Sequence, residues 1–128
     1  MMRKLPMRYH HLGIPTKEPR EGEYFLPDLR MHICGYRNNP YGIEWLRFEA
    51  DSPIPDLVKD VPHLAFQVED LDVALEGHEV LISPNSPSEG VRVAFIVHDG
   101  VPVEFLEFSG EHPDRLPGSG ERKGPDRD

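Results

Sequence analysis

Apolar and polar positions alternate through residues 63–69, with Leu64, Phe66 and Val68 on one face and His63, Ala65 and Gln67 on the other, the pattern of a half-buried strand. The period then becomes helical. Leu71, Ala74 and Leu75 form a stripe at i, i+3 and i+4, Asp70 offers an N-cap oxygen, and Gly77 suits the left-handed position that ends a helix. Beyond it, 79–83 reads as a strand, 84–90 as a loop and 91–97 as another strand. Asp99-Gly100 is a two-residue hairpin signal leading into a strand over 101–108. Upstream, 9–15, 31–36 and 43–49 read as strands. Charge and proline in 16–22 leave room for a turn or two of helix at most, 37–42 is rich in turn formers, and 51–62, with three prolines, reads as a connector.

These elements recur. His11-Leu12-Gly13-Ile14 matches His63-Leu64-Ala65-Phe66, and Ile43-Glu44-Trp45-Leu46-Arg47-Phe48 matches Val103-Glu104-Phe105-Leu106-Glu107-Phe108. Each half opens on a histidine strand and closes on a glutamate strand. Glu44 follows His11 by 33 residues and Glu104 follows His63 by 41, so the first half is shorter and its helix or second strand is expected to be reduced. Neither half could bury its sheet face alone, so the halves must pack on each other or exchange with a partner chain, and a homodimer is expected. His10 adjoins His11 and would face the opposite way on a regular strand; the repeat register selects His11. Glu44 shares its face with Leu46 and Phe48, and Glu104 shares its face with Leu106 and Phe108, odd company for solvated carboxylates.

Composition narrows the function. The chain has 128 residues, enough for one domain with a real core. Its formal charge of −9 would repel a phosphate backbone, which argues against nucleic-acid binding. The lone Cys34 excludes an internal disulfide and a cysteine-based zinc site. No apolar run approaches the roughly 18 residues of a membrane helix, and the N-terminus lacks the apolar core of a signal peptide, so a cytoplasmic protein is expected. Residues 109–128 carry one large apolar side chain, Leu116, and are expected to form a disordered tail. The remaining organisation is an arm over 1–8 and one domain over 9–108.

The segment 62–72, Pro-His-Leu-Ala-Phe-Gln-Val-Glu-Asp-Leu-Asp, and the segment 92–105, ending in Pro102-Val103-Glu104-Phe105, resemble the vicinal-oxygen-chelate superfamily. That superfamily includes glyoxalase I, methylmalonyl-CoA epimerase, fosfomycin-resistance transferases, extradiol dioxygenases and bleomycin-resistance proteins. The resemblance implies an α+β fold of two βαβββ modules, 9–50 and 61–108 joined by a linker over 51–60, in a curved mixed sheet around a central cavity. It also implies a metal site of His11, His63 and Glu104, with Glu44 as fourth ligand, base or both. Imidazole and carboxylate donors suit a divalent transition metal, Zn, Ni, Co, Fe or Mn, better than Ca or Mg. The implied function is a metal-dependent lyase or isomerase acting on a small oxygenated metabolite through an enediolate, with Glu44 and Glu104 as the catalytic carboxylates. The alternative is a bleomycin-resistance-like protein that sequesters a small molecule without catalysis.

Other chemistry-bearing residues read as ordinary. His32, His78, His98 and His112 suit structural or solvated positions, Arg47 and Arg92 a strand surface, Cys34 an unreactive thiol, and Trp45 and Phe48 packing. A cupin barrel would show two histidines one residue apart with a glutamate soon after, and no such cluster occurs.

Overall fold

The structure, a computed structural model, describes residues 6–109. The expected tail therefore lies, from residue 110 onward, outside the described residues, as does His112. The described residues build eight strands: β1 Met7–Pro15, β2 Tyr24–Leu26, β3 Met31–Cys34, β4 Ile43–Phe48, β5 His63–Val68, β6 Glu79–Ser88, β7 Val91–His98 and β8 Val101–Phe108. Two short α-helices, α1 Asp56–Asp60 and α2 Leu71–Leu75, and a 3-10 turn over Tyr36–Asn38 interrupt them. All eight strands form one mixed sheet in the order β2-β3-β4-β1-β5-β8-β7-β6. β1 and β5 pair antiparallel at its centre, while β1 runs parallel to β4 and β5 parallel to β8. Leu26 and Ile82, from the two edge strands, line the same cavity, so the sheet must curl until its ends approach each other.

Local chemistry accounts for the second half. Asp70 accepts a hydrogen bond from the Val73 amide, Leu71 and Ala74 are buried, and Gly77 takes φ +78 just beyond the helix. α2 presses its stripe onto Val68, Ala94, Ile96 and Phe105 on the outer face of the sheet. Asp99 and Gly100 both have positive φ, the backbone that a tight two-residue hairpin between twisted strands requires.

Several elements differ from the sequence reading, which assigned no strand to Tyr24–Leu26 and carried β3 to residue 36, where a 3-10 turn over Tyr36–Asn38 begins instead. Of the expected arm over 1–8, residues 1–5 lie outside the described residues, and Met7 and Arg8 pair with β5. The stretch 84–88 continues β6 rather than looping; β6 is an edge strand whose register shifts repeatedly, which lets Pro84 and Pro87 sit without ladder bonds. The connector contains α1, one turn that buries Val58 alone and so shows no periodicity to read. In the first half, no helix follows β1. Residues 16–23 cross the outer face instead, with the Arg20 guanidinium over the Trp45 ring at 4.3 Å and Glu23 accepting two hydrogen bonds from Arg47. Leu64, read as part of the buried face, is 40 % exposed.

Candidate metal centre

The central strands set the site by register. Glu44 on β4 pairs with Gly13 on β1, which pairs with His63 on β5. Two residues along, His11 pairs with Ala65, which pairs with Glu104 on β8. Residues two apart on a strand share a face, so both rows point into the concavity. Each row places one small residue beside the functional side chains. Ala65 is fully buried between His11 and Glu104, and a Cβ at Gly13 would lie 2.7 and 2.8 Å from the two nitrogens of the His63 ring. The repeat carries this signal, a small residue two positions after each histidine, although the sequence reading assigned it no role.

His11, His63 and Glu104 converge. His11 Nε2 lies 3.3 Å from His63 Nε2, and Glu104 Oε1 lies 3.2 Å from the first and 3.1 Å from the second. All three side chains are buried, and these donors alone among the described residues form a group able to hold a metal ion. Their separations fall between the roughly 3.0 Å edge of an octahedron and the roughly 3.4 Å edge of a tetrahedron whose ligands stand about 2.1 Å from the centre. Glu44, also buried, stands just outside the triangle, with Oε1 3.8 Å from His11 Nε2.

Protonation suits a cation. Burial lowers the His63 imidazole below its ordinary pKa, with Glu104 acting in the opposite direction. Burial pushes the Glu104 carboxyl up, but hydrogen bonds from His11 and His63 outweigh it and hold the group well below the usual carboxylate range. A neutral imidazole and an ionised carboxylate are the forms that bind metals.

The two histidines are held differently. His63 Nδ1 is buried with no hydrogen-bond partner, and the ring is fixed by packing against Gly13 and by an edge contact with Phe95 at 4.9 Å between centroids. His11 is held by a hydrogen bond. Its Nδ1 lies 2.7 Å from Nδ1 of His10, whose Nε2 lies 3.2 Å from the Tyr36 hydroxyl. His10 therefore does not face away from His11 as a regular strand would require. The register of β1 against β5 shifts between Tyr9 and His11, and this bulge turns the extra residue, His10, into the interior. It stacks there on Tyr36 at 4.9 Å and Phe108 at 5.6 Å.

Above these groups lies a cavity of 630 Å³. Its walls include Met31, Ile33, Leu46 and Phe48 from one half and Val93 and Phe95 from the other. Phe48 thus borders the cavity as well as packing. The connector supplies Ile54 and Val58, wall residues that the sequence reading did not single out. Arg47 and Arg92 lie elsewhere, paired with Glu23 and with Asp72 and Glu107. His32 binds Glu49 at 2.7 Å, His98 is exposed, and burial raises the half-buried Cys34 thiol.

No family model and no curated protein matches the chain. Among solved structures it is similar to a hypothetical protein from Bacillus halodurans C-125, with a TM-score of 0.58 and 22% identity over 82% of this chain and 96% of that one. At that identity the likeness concerns the fold. No helix among the described residues is long and apolar enough to cross a membrane.

Proposed function

We propose that the chain is a metal-dependent enzyme of the vicinal-oxygen-chelate type, a lyase or isomerase that moves a proton on a substrate bound through two neighbouring oxygens. The observation that carries this reading is the convergence of His11, His63 and Glu104 within 3.3 Å of one another, beside the buried Glu44 and beneath a cavity. The strand order supports the finer fold reading. It places β2-β3-β4-β1 beside β5-β8-β7-β6, the order of two like modules joined back to back, with the first module lacking its helix.

Two imidazoles and a carboxylate favour Zn, Ni, Co, Fe or Mn. Such an ion, when bound, polarises substrate oxygens and acidifies an adjacent C–H. The protein's own groups do the rest. His11, His63 and Glu104 would hold the ion at the floor, the apolar walls exclude water, and Glu44, displaced from the triangle, takes and returns the proton. A homodimer belongs to the same proposal and is tested by sedimentation equilibrium.

The decisive experiment is solvent deuterium exchange. Metal-loaded protein is incubated in D₂O with hydroxyketones, hemithioacetals and acyl thioesters, and C–H wash-out is followed by NMR. Exchange that disappears in Glu44→Gln while metal content is retained supports the proposal. Saturable binding without exchange across the panel replaces it with the sequestration reading.

A further inference from the structure

We infer that the ligand of this cavity is a molecule with an uncharged, apolar body and a single chelating oxygen pair, not one carried on a phosphate, a nucleotide or an anionic peptide. The inference rests on the proposed metal site and adds what the walls demand. The cavity is graded from floor to rim. At the floor stand the buried polar groups His11, Glu44, His63 and Glu104. The middle is aliphatic and aromatic, with Ile33, Leu46, Val58 and Val93 each at most 5 % exposed. Ser83, Asn85, Ser86 and Asp28 line the cavity at exposed positions, forming a polar rim.

Among the described lining residues none is Lys or Arg, and the carboxylates present are Asp28, Glu44 and Glu104. An anionic group on the ligand body would therefore be desolvated against apolar walls with no cationic side chain to pair with, and would meet the Asp28 carboxylate at the rim. Arg47 and Arg92, the cations of nearby strands, are already committed to Glu23, Asp72 and Glu107. The formal charge of −9 adds a long-range field of the same sign. A volume of 630 Å³ exceeds what an oxygen pair at the floor needs, and the apolar middle is matched by an aromatic or alkyl body.

The test uses two rigid probes with the same O,O-chelating head, benzohydroxamate and para-carboxybenzohydroxamate, which differ by one carboxylate. The full chain is loaded with cobalt(II), its metal content is counted by elemental analysis, and each probe is titrated against the cobalt visible absorption. Benzohydroxamate is expected to bind at least about tenfold more tightly. Equal affinity, or preference for the carboxylated probe, overturns the inference while leaving the metal site standing. A chain that takes up no cobalt is recognised before any probe is added and overturns the metal reading together with this one.

Discussion

At the scale of single residues, the site depends on two neighbours that are not donors. With His11 Nε2 given to a metal, its proton must reside on Nδ1, so His11 donates to His10 Nδ1 and His10 Nε2–H faces the Tyr36 oxygen. His10 thereby fixes both the tautomer and the rotation of His11. His10→Phe, which keeps the ring stack and loses the acceptor, is expected to weaken metal affinity by about 10–100-fold, the usual effect of losing such a partner. His10→Asn, which restores an acceptor oxygen, should recover much of it. Competition against a chromophoric chelator measures both, and equal affinity in wild type and His10→Phe would remove the role. Gly13 acts by absence. Because the His63 ring occupies the space where a Cβ would stand, Gly13→Ala should displace the ring and lower metal affinity by a similar factor of roughly ten or more, with circular dichroism unchanged.

At the scale of elements, the stretch 16–23 does the covering that α2 does in the other half, and it does so with charge. The Glu23 carboxylate accepts hydrogen bonds from the Arg47 guanidinium at 2.7 and 2.8 Å, which lower its pKa from the ordinary 4.5 to about 2. A depressed carboxyl stabilises the fold above its unfolded value and ceases to do so as pH falls through its folded value. The contribution is thus full above about 4.5 and lost between there and about 2. Glu23→Gln should lower the urea midpoint at pH 7, and the gap to wild type should close on acidification across that window; a gap independent of pH would place the effect elsewhere. The same contrast explains what was legible in the sequence. α2, the Asp99-Gly100 hairpin and the strands carrying the four candidate residues announce themselves because periodicity, capping and turn chemistry are local. The bulge at His10, the single turn of α1 and the extension of β6 past Pro84 are decided by what packs on them, and five residues or one inserted residue leave no period to detect. For the site, the repeat and the resemblance singled out His11, His63, Glu104 and Glu44, and the structure brings the first three together with Glu44 close by, whereas His10, Gly13 and the connector walls emerge only from the register and the closure of the sheet.

At the scale of the whole molecule, a metal ion would tie together parts of the chain that nothing covalent joins. His11 and His63 are 52 residues apart, and His63 and Glu104 are 41 apart, on three strands at the middle of the sheet. The unfolded chain does not hold these donors in one place, so binding free energy becomes folding free energy. At a free metal concentration about a hundredfold above Kd the gain is roughly 2.7 kcal/mol. For a domain of this size that corresponds to a rise in Tm of about 10 °C. Zinc-loaded protein should therefore melt about 10 °C above the same protein stripped with EDTA, measured by differential scanning calorimetry. His63→Ala should abolish the metal-dependent shift, because two donors remain where three converged. Glu44→Gln should keep most of it, since that carboxylate stands outside the triangle, 3.8 Å from the His11 nitrogen. The pair of variants separates the role given to Glu44 from that given to the three donors. A zinc shift as large in His63→Ala as in wild type would put the metal at another place, and its loss in Glu44→Gln would make Glu44 a ligand rather than the group that moves the proton.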